Sequence, residues 1–283
     1  MKSNMIRKSM PVAKEHVSPL ADGRVDQGYE NIQVRMLYWP EEKAFKTMVY
    51  KATMATRGSA IEDLESIDPV VVDEAFKGGL NQCLEWATVV FEISGVSRGL
   101  THELVRTRKA SFAQQSMRHT DMGSGPDVNR VAAIRMPVEI YNASAEVREE
   151  WTHAVEVARQ TYAVLVNQHD IPFQDARTVL PIGTETYIIA AYPVSEFLNT
   201  YSYRACFMFY PEIVALFHRM RSALVEECAW LEPYIQIGCE RTRPNGTMPH
   251  MCTYQGWEKV EGQCPFIWAK EDNRVWKSSK FEG

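Results

Sequence analysis

An α+β fold is predicted, built as a single domain rather than a doubly wound sheet. Three observations lead there. The chain reads strand, helix, helix, strand, helix, helix, strand, helix, helix, with hardly any short and regular strand–helix–strand unit. Its 283 residues are 45% apolar, enough for a substantial buried core. No internal repeat and no low-complexity linker divides it.

Residues 1–30 mix Lys, Glu, Asp, Gly and Pro without a period, as in an arm that is flexible or orders on a partner. The β-prone run from Asn31 to Trp39 predicts a first strand. Residues 41–56 carry helix formers with Phe45, Met48 and Val49 on one side. Asp68-Pro69 is a helix start, Asp as N-cap and Pro at the first helical position, and Gly78-Gly79 ends that helix. Residues 87–94 alternate as a strand does, after which Ser97 caps a helix carrying RGLTHELVRTR. From Ser144 to His169, Trp151, Val155, Ala158, Tyr162 and Leu165 repeat at helical spacing, which predicts a core-facing helix. Residues 184–192 predict another strand, followed by a helix to about Arg204. A last helix starts near Pro211 with Ile213, Phe217, Met220, Leu224 and Leu231 on one face. The expected organisation is a flexible arm over residues 1–30, a body over 31–236 and an irregular Cys-containing tail over 237–283.

Thirty-six acidic against 31 basic side chains give a net charge of −5, which argues against polyanion binding by the whole surface, so no nucleic-acid partner is expected. No apolar run reaches the roughly 18 residues of a membrane span, and the first residues lack the apolar block of a signal peptide. A cytoplasmic protein with no membrane partner is the expectation. Six cysteines in a chain this long are too few for a disulfide scaffold and read as reduced, with Cys83 and Cys228 in apolar helical contexts.

Against that acidic background, Arg98, Arg106, Arg108, Lys109 and Arg118 face the single acid Glu103 within one short stretch, a local balance of +4. Arg106 and Arg108 are two apart and cannot share a helix face. Ser111 and Ser116 add hydroxyls, and Gln114 and Gln115 add amides able to read a base edge. Arginine with serine suits a phosphate, because the guanidinium fork matches two oxygens at once. A phosphorylated small molecule therefore fits as well as a solvated basic face does.

The string from Arg106 to Arg118, RTRKASFAQQSMR, resembles the flavin-dependent thymidylate synthase signature R-H-R-x-x-S-x-x-x-x-S-x-R, with Thr107 in place of the His. Residues 91–106 resemble the strand and helix preceding that signature, and Ala176-Arg177-Thr178-Val179-Leu180-Pro181 resembles the family's A-R-x-V-L-P segment. Arg204 and Pro211-Glu212-Ile213 resemble its next helices, so the likeness spans roughly residues 31–235.

The resemblance implies an α+β fold with a mixed sheet and long helices, assembled as a homotetramer whose active sites are shared between subunits. It implies FAD, NADPH and methylenetetrahydrofolate as cofactors and a one-carbon transfer to C5 of dUMP. Carried over by position, Arg106, Thr107, Arg108, Glu85 and Asn199 would face the flavin. Glu103, Gln114, Ser116, Met117, Arg118, Arg177 and Arg204 would surround the nucleotide, Arg118 near its phosphate and Arg204 near the pyrimidine carbonyls. Arg204, Ser116 and Gln114 would take the catalytic roles. Classical thymidylate synthases activate C5 by adding a Cys thiolate, and no Cys stands in this cluster; Cys206, two residues from Arg204, reads as a small buried hydrophobe.

Three of the four departures from the family pattern fall on the flavin and folate side. Thr107 replaces the signature His, residues 79–86 keep only Gly79 and Glu85 of G-H-x-S-x-x-E-H, and Pro193-Val194-Ser195 stands for N-x-R. On the nucleotide side the usual Gln is Glu103, which could accept a hydrogen bond from an exocyclic amine and makes dCMP a second candidate substrate. Hydroxymethylation or another C5 modification, and a nucleotide-binding protein without flavin turnover, stay open as alternatives. In the tail, Cys239, His250, Cys252 and Cys264 form a possible zinc set, though without paired C-x-x-C knuckles, and no metal is expected.

Overall fold

The computed structural model describes residues 29–59, 67–77, 81–123, 133–206 and 209–238. Four strands form one sheet: β1 (Gln33–Tyr38), β2 (Thr88–Ser97), β3 (Ser111–Gln114) and β4 (Glu185–Pro193), in the order β1-β2-β4-β3. Every pairing is antiparallel. The mixed sheet expected from the family resemblance is thus corrected to an antiparallel one among the described residues. The long helical connections return each strand beside its neighbour in the opposite sense, so no parallel pair arises.

One sheet face is the core. Phe91 and Ile93 of β2 and Ile188, Ala190 and Tyr192 of β4 alternate inward with no exposure, as a strand's two-residue period requires. Helices α7 (Val194–Arg204) and α8 (Pro211–Glu227) cover that face. Their contact runs through rings, Phe91 against Phe197 at 5.2 Å and Phe197 against Phe217 at 6.4 Å. Ile213, Phe217, Met220 and Leu224 are all buried along α8, and Leu231 joins them from the 3-10 turn Ala229–Tyr234. Each such side chain contributes roughly 1.5–3 kcal/mol of burial. The opposite face carries Glu92, which accepts from the Tyr187 hydroxyl at 2.6 Å and pairs with Arg35. That carboxylate pushes the Tyr187 phenol up to about 12.

Helices α1 (Glu42–Thr56) and α2 (Pro69–Lys77) close one end, α2 starting behind the Asp68 cap that the sequence predicts. Glu41 accepts from the Lys43 and Ala44 backbone, and Asp68 Oδ1 accepts from Val70 N at 2.9 Å ahead of Pro69. Phe45, Phe76, Trp230 and Tyr234 make an aromatic cluster there. The packed body reaches beyond residues 31–236 at both ends. Arg219 Nη2 donates to the carbonyl of buried Tyr29, Ile237 is 2% exposed, and Gly238 N donates to Ser202 O at 2.6 Å.

Short helices α3 (Arg98–Leu104), α4 (Val138–Tyr141) and α6 (Phe173–Ala176) flank the long α5 (Ala145–His169). The expectation that α5 faces the core is corrected. Of its apolar stripe only Tyr162 is buried, while Trp151, Val155, Ala158 and Leu165 are half-buried and Val147, Val157 and Val164 exposed. Only its C-terminal half meets a second small cluster around Met117, Met122 and Ala176.

Candidate functional site

Strand β2 delivers the site. Near its end the register with β4 shifts between Ile93 and Val96, and Gly95 there has φ +76°. A Cβ on Gly95 would stand 2.1 Å from Asn31 O, so this irregularity accepts no side chain. It leads to Ser97, whose Oγ accepts from Leu100 N at 3.0 Å and caps α3 as its sequence position predicts. Buried Glu212 takes the Ser97 N–H at 2.7 Å and the Ser97 hydroxyl at 2.6 Å. Burial pushes the Glu212 carboxyl up, and the Ser97 bonds and the Arg135 charge oppose it. The start of α3 is stitched further by Arg98 N to Thr184 O and Gly99 N to Ile182 O.

From this anchored helix Glu103 points outward to Arg204 at the end of α7, with Arg204 Nη1 2.9 Å from Glu103 Oε2. The Arg204 guanidinium lies 5.6 Å from the Tyr203 ring and 5.4 Å from the Phe209 ring, and its side chain is 17% exposed. Charge and two aromatic faces hold it in one place.

The signature loop follows. Thr107 turns inward, 7% exposed, toward the fully buried Tyr192, while Arg106 and Arg108 on either side point to solvent, the divergence their spacing requires. Thr107 thus offers little beyond its backbone to a ligand. Strand β3 was not anticipated from the sequence. It places Gln114 beneath α3, where Nε2 donates to Thr101 Oγ1 at 2.9 Å. Ser116 is exposed and its Oγ accepts from Arg118 N at 3.2 Å, a local turn that presents both side chains outward. Met117 between them is buried against Tyr162 and Ala176, so its side chain is packing. The same cluster brings the turn Arg177–Val179 up against this segment. Arg177 Nε donates to Gln174 O at 3.0 Å.

Around the corner, Glu85 and Asn199, far apart in sequence, line one cavity of about 270 Å³ floored by Phe76 and Leu84. Lys109 reaches over it to Glu85 at 2.7 Å, and the Ser195 hydroxyl at its wall is buried without a hydrogen-bond partner. Lys109 and Ser195 were given no role from sequence; an orphaned hydroxyl leaves no sequence signal. Cys239, His250, Cys252 and Cys264 lie outside the described residues. No cluster of potential metal ligands occurs among the described residues. No helix among them is long and apolar enough to cross a membrane.

The family model described as thymidylate synthase complementing protein matches residues 34–229. A flavin-dependent thymidylate synthase of Geobacter sulfurreducens is 34% identical over 48% of this chain and 55% of its own length. One of Nitratidesulfovibrio vulgaris is 32% identical over 58% and 67%. The match thus spans about half the length of several curated relatives. A Helicobacter pylori thymidylate synthase X structure, solved with FAD and dUMP, superposes with TM-score 0.54 at 19% identity, covering 72% of this chain and 99% of that one, a likeness of fold. With the signature, the α3 anchor and these matches together, the chain belongs to the thymidylate synthase complementing protein family, that of the flavin-dependent thymidylate synthases.

Proposed function

We propose that the chain is a flavin-dependent thymidylate synthase that transfers a one-carbon unit from methylenetetrahydrofolate to C5 of dUMP, with FAD and NADPH. The observation that carries this reading is Arg204, clamped by Glu103 and two rings at the edge of the signature loop. A fixed guanidinium beside the pyrimidine carbonyls stabilises negative charge as C5 becomes nucleophilic, at no cost of reorganisation. Ser116, Arg118 and Arg177 would hold the phosphate side, and Gln114 would keep α3 and β3 in register beneath the base. Arg106 and Arg108 would meet the flavin's phosphates from solvent.

The cavity beside Glu85 and Asn199 fits part of a flavin: it has an apolar floor, an amide, an ammonium and a buried hydroxyl in need of a partner. Bound FAD, reduced by NADPH, supplies the reducing equivalents that turn the transferred unit into a methyl group. The chain's own residues bind, orient and polarise. Cys83 and Cys228 are poor thiolate nucleophiles, because burial pushes the Cys83 thiol up, and the Cys228 thiol up to about 11; Cys206, expected from the sequence to be buried, is half-buried instead.

Glu103 is already engaged by Arg204, which neutralises it and favours dUMP over dCMP. The half-buried stripe on α5 supports assembly into the homotetramer, because an apolar helix face of that length is stable when a second copy covers it. The deciding experiment incubates the protein with FAD, NADPH and methylenetetrahydrofolate and either dUMP or dCMP, and weighs the products. A methyl increment on dUMP supports the proposal. A hydroxymethyl increment, modification of dCMP alone, or nucleotide binding without turnover by a colourless protein would each replace it.

A further inference from the structure

Tyr192 is fully buried, yet its hydroxyl completes no hydrogen bond. The ring has no room to swing in search of one. Phe91, Phe112 and Phe197 meet it edge-on at 6.3, 5.9 and 6.0 Å, from β2, β3 and α7. A buried hydroxyl without a partner is costly, and one that persists calls for a reason. The groups acting on it come from three parts of the site: Thr107 of the signature loop, Glu196 of the cavity wall, and Tyr203 and Arg204 at the end of α7. Burial, against the pull of Thr107, keeps the phenol protonated.

Thr107 is the residue placed to satisfy that hydroxyl. Among residues 105–109 it alone is buried, while Val105, Arg106, Arg108 and Lys109 are exposed. The backbone turns on both sides of it, Thr107 N donating to Leu104 O and Ala110 N to Thr107 O, each at 3.2 Å. Its side chain lies within reach of the Tyr192 hydroxyl but short of hydrogen-bond geometry. Thr107 also stands where the signature has His, so a small hydroxyl side chain sits over Tyr192 at the one position where the signature string departs. We propose that Tyr192 is a positioning residue for the flavin: with FAD bound, Thr107 Oγ1 donates to the Tyr192 hydroxyl and pins the loop so that Arg106 and Arg108 stay turned toward the cofactor. This rests on the reading of the chain as a flavoprotein. Arg204 needs no such support, since Glu103, Tyr203 and Phe209 already hold it.

The test titrates FAD into the flavin-free full chain, followed by flavin fluorescence, for the parent, Tyr192→Phe, Thr107→Val and the double variant. Thermal melts of the flavin-free proteins and dUMP calorimetry run beside it. Tyr192→Phe keeps the ring and removes an unpartnered hydroxyl, so its Tm should hold or rise while FAD affinity falls roughly 5- to 30-fold. Affinity for dUMP should stay within about twofold. Thr107→Val should lose FAD affinity to a similar extent, and the double variant no more than either single one, because both remove the same bond. Thr107→Val carries the test if Tyr192→Phe fails to fold. Parent-like FAD affinity in Tyr192→Phe, additive losses in the double variant, or a lowered Tm with FAD and dUMP weakened in parallel would make Tyr192 packing alone and overturn the proposal, leaving the function intact. A parent that does not bind FAD overturns the functional reading as well.

Discussion

Replacing Gly95 with Ala should destabilise the chain more than any other single added methyl at a described glycine. Gly95 has φ +76°, where an L side chain costs roughly 1–2 kcal/mol. The new Cβ would also sit 2.1 Å from Asn31 O and 2.8 Å from Asn31 C, both backbone atoms, so the segment before β1 must shift. Overpacking of this kind adds about 1–3 kcal/mol, for a total of about 2–5 kcal/mol. Gly58 is the control, since at φ +71° its Cβ would meet nothing within 4 Å. Gly58→Ala should therefore lose only the conformational part. For a domain of this size each kcal/mol moves Tm by about 2–4 °C, so the two variants should differ by several degrees in thermal melts at matched protein concentration. Equal losses at the two positions would refute the steric argument, and with it the view that a side-chain-free kink sets the start of α3.

Ser97→Ala removes both the α3 cap and the hydroxyl that Glu212 accepts, and should cost about 1–3 kcal/mol in urea denaturation. His218 is held down to about 4, against 6.5 when unperturbed, chiefly by burial, with the Arg221 charge adding to it and a backbone hydrogen bond at Ala205 opposing it. The unfolded chain then binds the extra proton between those values, so stability should fall as pH drops through that window, by up to about 3 kcal/mol, and His218→Gln should flatten that slope. Arg204→Ala should lower turnover of dUMP by about 10²- to 10³-fold, the scale of losing one preorganised charge-stabilising donor, as read by single-turnover product formation. Retention of near-parent turnover would remove Arg204 from the chemistry.

The elements written into single segments were legible in order. The caps at Asp68 and Ser97, the buried face of α8 and the alternation of β2 and β4 each depend on spacing within one stretch, so the linear pattern carries them. The four residues of β3, Ser-Phe-Ala-Gln, are too short a run to show such a pattern. Only pairing with β4 makes Ser111–Gln114 a strand, and only strand direction across the sheet made every pairing antiparallel. The stripe on α5 was read correctly as a face but not as one this chain leaves half-open, because periodicity states that a surface is apolar and not what covers it.

The same division runs through the site. Sequence alone determined which side chains carry charge near the signature, and that Arg106 and Arg108 must diverge, since both follow from composition and backbone geometry. Tertiary structure decided which charges meet. It joined Glu103 to Arg204, put Glu85 and Asn199 on one cavity, and turned Thr107 and Met117 inward. Each of these depends on a distance between segments far apart along the chain, and such distances exist only once helices and sheet have packed.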